Sequence, residues 1–165
     1  MTSYPKDVIK DLLEGRLPWQ ETHQIMSSYK DADRFETYRS IVQEEIDDGD
    51  RLVLPIGERL VIVHGEDGLV VRCLCGHRFG DYRTNWKLNA RIRVRDSEES
   101  LEELYPGRRK CDPRWMEIRE FICPGCAAML EVEAVPPGYP VVFDFLPDLD
   151  AFHEHFLGEA PASPE

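Results

Sequence analysis

Four of the five cysteines in this 165-residue chain come as two close pairs, and no other feature restricts the fold as much. Cys73 stands with Cys75, and Cys123 with Cys126. A pair separated by one or two residues belongs on a tight turn that presents both sulfurs in one direction. Zinc takes four soft ligands in a tetrahedron, so two such turns on neighbouring strands can close one site. Gly76 after the first pair, and Pro124 and Gly125 inside the second, suit the sharp backbone path each turn needs. The spacing predicts a zinc-ribbon-like arrangement with Cys73, Cys75, Cys123 and Cys126 as metal ligands, and the long stretch between the pairs as an insertion. Four buried cysteines packing as small apolar side chains are the plain alternative. A redox C-x-x-C requires a thioredoxin-like βαβ setting, which strand–knuckle–strand does not provide. Iron in a rubredoxin-like site fits the same spacing.

Four thiolates saturate a zinc ion and damp its Lewis acidity, so the reading is structural rather than catalytic. The sequence contains no H-E-x-x-H, P-loop, G-x-G-x-x-G or G-x-S-x-G motif. His23, His64, His77, His153 and His155 are scattered and read as solvated or structural, with His77 a candidate second-layer donor near Cys75. Cys111, among Arg109, Lys110 and Asp112, reads as an exposed bystander. No catalytic residue and no cofactor-binding loop is expected in this chain.

The period of the apolar residues divides the chain into three. Residues 1–50 read as a helical N-terminal arm. Val8, Ile9, Leu12 and Leu13 share a face after Pro5; Trp19, Thr22, Ile25 and Met26 form a second candidate buried stripe after Pro18; Phe35, Tyr38, Val42 and Ile46 form a third that Gly49 ends. Residues 51–135 read as a β core. Arg51–Leu54, Arg59–Val63 and Leu69–Arg72 are rich in β-branched residues, with a turn at 64–68, and the last run leads into Cys73. Leu88–Val94 alternates as a strand, Ser97 caps a short helix to Tyr105, and strands over Trp115–Ile122 and Met129–Val135 flank the second pair. Residues 136–165 read as a proline-rich C-terminal arm with a helix over Asp148–Leu157 and a frayed end. The predicted class is therefore α+β, an antiparallel zinc-ribbon-like core between two arms.

Length and charge narrow the partners. A globule of this size buries roughly 70% of its unfolded surface, so it does not need a metal merely for being small. Its 32 acids outweigh 20 bases for a net charge of −12, which argues against nucleic acid as the main partner. Local basic patches at Arg91, Arg93 and Arg95 and at Arg108, Arg109 and Lys110 do not reverse that field. The apolar runs are too short to span a membrane, and no signal-like segment follows the N-terminus. The expectation is a cytoplasmic protein, in a compartment that keeps cysteines reduced.

Several runs taken in order resemble one family. They are Ser28–Phe35 (SYKDADRF), Leu54–Gly57 (LPIG), Cys73–Phe79 (CLCGHRF), Asp81–Lys87 (DYRTNWK), Val94–Asp96 (VRD), Ile118–Cys126 (IREFICPGC), Tyr139–Val141 (YPV) and Asp144–Asp148 (DFLPD). Together they resemble the small, zinc-binding gamma subunit of acetone carboxylase, and the related small subunit of acetophenone carboxylase, over nearly the whole chain. The resemblance implies a subunit of a cytoplasmic, heterohexameric, ATP-dependent ketone carboxylase that joins acetone and bicarbonate to form acetoacetate. It also implies that ATP and manganese chemistry belongs to two larger subunits, alpha and beta, leaving this chain a structural and assembly role. Tyr139, Phe143, Phe145, Trp19 and Trp86 are the candidate contacts to those subunits, with packing on the chain's own core as the alternative, above all for Trp86. The chain departs from the family pattern at Gly80, where members often carry a cysteine, and from ribbon knuckles at Ala127, where glycine is favoured. A free-standing zinc-ribbon module that binds protein or nucleic acid is the alternative function.

Overall fold

Apolar residues at three- and four-residue steps give three helices at the start of the chain: α1 (Lys6–Leu13), α2 (Trp19–Ser27) and α3 (Arg34–Gln43). A computed structural model describes residues 3–46, 49–66, 68–107 and 110–154. Pro5 and Pro18 stand immediately before α1 and α2, where a missing N–H costs nothing. α1 packs on α3, which packs on the first strand. Ile9, Ile25, Ile41 and Val42 are the buried residues of these helices. The expected stripe on α2 is only partly buried, because Trp19 is 75% and Met26 60% exposed. Both lie on the order of 100° around the helix from Ile25, and the helix turns its Ile25 edge inward. α3 ends at Gln43, short of Gly49, although Ile46 remains buried. The chain leaves it through tight turns in which the N–H groups of Glu44, Glu45 and Ile46 donate to carbonyls three residues back.

Period-two residues build two antiparallel sheets rather than one. The first has order β1 (Arg51–Pro55), β2 (Leu60–Gly65), β3 (Gly68–Cys73), β4 (Arg78–Asp81). The second has order β5 (Arg91–Arg95), β6 (Glu117–Ile122), β7 (Met129–Val135). Between the sheets Trp86–Asn89 forms a 3-10 turn capped by the Asn85 side chain, so β5 starts at Arg91 rather than Leu88. α4 (Glu98–Glu102) carries a reciprocal capping box between Ser97 and Ser100. Trp115 lies in the turn before β6 and is exposed. α5 spans Leu149–Phe152. The expectations placed on Arg108, Arg109, His155, Phe156, Leu157 and the tail lie outside the described residues.

The first sheet is buried on both faces. Val42 and Ile46 cover Leu52, Val61, Val63 and Val70 on one side. On the other, Leu54, Leu60, Ile62, Val71 and Cys73 meet Phe79, Trp86, Phe121, Cys123 and Leu149. That second cluster takes Phe121 and Cys123 from the other sheet's central hairpin, and so joins the two sheets. Phe79, Trp86 and Phe121 stack edge to face at centroid separations of 5.7 and 6.1 Å. Trp86 is therefore a residue of the chain's own core.

Buried charges are paired throughout this core. Arg72 reaches Asp50 at 2.8 Å, and Arg78 reaches the same carboxylate at 2.7 Å. The α+β class with antiparallel sheets follows the sequence reading. No helix among the described residues is long and apolar enough to cross a membrane.

Candidate metal centre

Cys73 is the last residue of β3, and Cys123 follows directly on β6. Each strand thus delivers its first cysteine to a hairpin turn whose backbone closes on itself. In the first turn Cys73 N–H donates to His77 O at 2.9 Å, and Gly76 N–H donates to Cys73 O at 2.9 Å. In the second, Cys123 N–H donates to Ala128 O at 2.9 Å, and Ala127 N–H donates to Cys123 O at 2.9 Å. The residue after the second cysteine has positive φ in both turns, +94° at Gly76 and +60° at Ala127. Among the described residues Ala127 is the one non-glycine with that backbone.

The turns face each other closely. Cys73 Sγ lies 3.8 Å from Cys126 Sγ, and Cys75 Sγ lies 3.7 Å from Cys123 Sγ. All four sulfurs fall within 4.8 Å of one another. A disulfide needs sulfurs about 2.05 Å apart, so these are free thiols or thiolates. A tetrahedron with zinc–sulfur bonds of about 2.3 Å has edges of about 3.8 Å, which fits the two close pairs. Such a donor set could hold one ion and leaves no open position for water. Soft thiolates suit zinc.

Room at the site is tight. A Cβ on Gly125 would lie 3.0 Å from His77 Cβ and 3.2 Å from Cys75 Sγ, so only glycine lets the second turn approach the first. His77 also packs edge-on against Phe79 at 4.9 Å, tying the first turn to the aromatic core. Cys73 and Cys123 are fully buried, while Cys75 and Cys126 are exposed. Burial pushes the Cys73 thiol up to about 12. Burial also raises Cys123, against the opposing effect of N–H groups from Cys126 and Gly125 that point at its sulfur. Cys126 falls to about 7, chiefly because Ala128 N–H points at it. A cation that takes all four sulfurs must therefore displace firmly held protons from the inner pair.

Sequence reasoning missed a second cluster of charges, built around a buried lysine. Glu131 and Glu133 of β7 and Asp144 of the C-terminal segment bring three carboxylates together. Their centre is filled by the Lys87 ammonium, at 2.6, 2.5 and 3.0 Å from the three residues, and Lys87 is only 1% exposed. It is an ion cluster around a buried ammonium, open at Asp144, in which Lys87 takes the place a metal could occupy. The alternation of Glu131 and Glu133 along one face of β7 was the available signal. Cys111 stands apart from both centres, its sulfur 3.8 Å from the Met116 carbonyl oxygen.

Comparison with known proteins gives a consistent result. A family model described as "Acetone carboxylase gamma subunit" matches residues 46–157. The chain is 42% identical over 158 residues to "Acetone carboxylase gamma subunit" of Xanthobacter autotrophicus, covering 94% of each chain. It is 32% identical over 79 residues to "Acetophenone carboxylase beta subunit" of Aromatoleum aromaticum, covering 47% of this chain and 61% of the other.

Proposed function

The chain belongs to the acetone carboxylase gamma subunit family, and from that premise we propose that it is the small structural subunit of a cytoplasmic, ATP-dependent ketone carboxylase, with one zinc ion bound by Cys73, Cys75, Cys123 and Cys126. The observation that carries the metal assignment is the convergence of four sulfurs, two from each sheet, at tetrahedral spacing. Structural zinc contributes on the order of 10–16 kcal/mol. That is comparable to the whole stability of a domain, so an ion joining two hairpins from different sheets would set their mutual position.

The sequence carries no P-loop or G-x-G-x-x-G motif, which supports a role outside the nucleotide chemistry. Family membership supports placing ATP and manganese in two larger subunits, alpha and beta, with acetone as the ketone. The chain then acts in assembly rather than in the chemistry. Co-expression with the two larger subunits tests this reading. Acetone-dependent ATP turnover with bicarbonate is expected in the assembled complex and absent from this chain alone. Turnover by the isolated chain, or full activity and stability of the larger subunits without it, contradicts the proposal.

A further inference from the structure

After a turn in which Tyr139 N–H donates to Pro136 O at 3.1 Å, the segment up to Pro147 crosses the surface outside either sheet. It is held at three points. Arg119 donates to Tyr139 O, Asn85 Nδ2 donates to Val141 O at 3.1 Å, and Lys87 pairs with Asp144. Val141 turns inward against the core. Tyr139, Val142, Phe145 and Leu146 turn outward, with Phe145 53% and Leu146 56% exposed. No backbone N–H from Val141 to Leu146 donates to another described residue. A backbone held in place outside both sheets, with free donors and an apolar outer edge, is a form in which a segment is presented to a partner.

Charge identifies the kind of partner. Every formally charged residue after Arg119 is an acid. Glu120 pairs with Arg95, and Glu131, Glu133 and Asp144 are taken up by Lys87. Asp148, Asp150 and Glu154 are exposed a few residues beyond the apolar ridge in the chain. A second copy of this chain would set acid against acid, within a net charge of −12 on each.

We infer that this segment docks into an apolar groove rimmed by Lys and Arg on one of the larger carboxylase subunits. The inference rests on the subunit role above and assigns the surface that fulfils it. The exposed helical edge at Trp19 and Met26 is the competing surface, and it lacks both the free backbone and the run of acids that follows the segment.

The test uses the full chain and the two larger subunits, purified through a tag on a larger subunit, with affinity measured at two salt concentrations. Replacing both Phe145→Ala and Leu146→Ala should weaken association at least about tenfold, with metal content and melting unchanged. The pair Asp150→Lys and Glu154→Lys, both at exposed positions, should weaken it less and flatten its salt dependence. Trp19→Ala should leave it as it was. Wild-type affinity in both double variants overturns the docking surface while leaving the subunit role intact. So does loss confined to Trp19→Ala, or a dimer of the isolated chain that Phe145→Ala and Leu146→Ala dissolve. If the wild-type chain does not associate with the larger subunits, the subunit role itself fails and the inference falls with it.

Discussion

The two cysteine turns are near copies built from different material. Both are hairpin turns, both bury the first cysteine and expose the second, and both put a residue with positive φ directly after the second cysteine. They differ in length, since one residue separates the cysteines in the first and two in the second. They differ also in what occupies the left-handed position, Gly76 in one and Ala127 in the other. The common element is therefore the backbone after the second cysteine, and not the residues between the pair. Ala127 takes a conformation that costs an L-residue about 1–2 kcal/mol. That is small against the on the order of 10–16 kcal/mol from a structural zinc ion, so the second turn can carry the strain.

The largest effect should separate the buried from the exposed sulfurs. Cys123→Ser should abolish metal binding and cooperative melting together, a loss on the order of the domain's full stability, about 5–15 kcal/mol. Cys126→Ser should keep a weakly held ion that a chelator removes quickly. Equal losses in the two variants, measured by metal analysis and calorimetry, would break the distinction between inner and outer ligands.

Acid and alkali should act in opposite senses on the loaded and metal-free chain. In the metal-free fold the Cys73 thiol is raised from an ordinary 9.0 to about 12. A raised folded value gives stability that is full below the ordinary value and is lost as pH rises from about 9 toward 12. Metal binding instead requires the thiolate, so apparent affinity should fall about tenfold per pH unit for each proton displaced as pH drops. Competition titrations against a chelator at two pH values check the slope. A pH-independent affinity would mean that the inner sulfurs do not bind the ion.

The smallest effects test the likeness of the turns. Gly76→Ala should destabilise by about 1–2 kcal/mol, because it repeats in the first turn the strain of the second. Ala127→Gly should stabilise by about 0.5–1 kcal/mol, raising the melting temperature by about 1–4 °C. If Ala127→Gly destabilises instead, the two turns do not share one backbone logic.

The four-cysteine cluster was legible because cysteine spacing is local information. Cys73 with Cys75, and Cys123 with Cys126, each declare a turn, and the strands leading into them alternate clearly. The helices and the α+β class followed from the same periodicities. β4 was not legible, since Arg78–Asp81 holds one apolar residue and is fixed only by pairing with β3. The division into two sheets was hidden for the same reason, because strand order is a long-range property. Lys87 gave no signal of burial, as its partners Glu131, Glu133 and Asp144 lie far along the chain. Trp19 and Met26 misled because a three-to-four step shows which residues share a face, not whether a neighbour covers it.

X-ray absorption on the purified, metal-loaded chain, combined with metal quantification, tests the central claim most directly. One zinc per chain with four sulfur neighbours at about 2.3 Å is the expected result. A well-folded chain without metal, or an ion with nitrogen or oxygen neighbours in place of any of the four sulfurs, would contradict it.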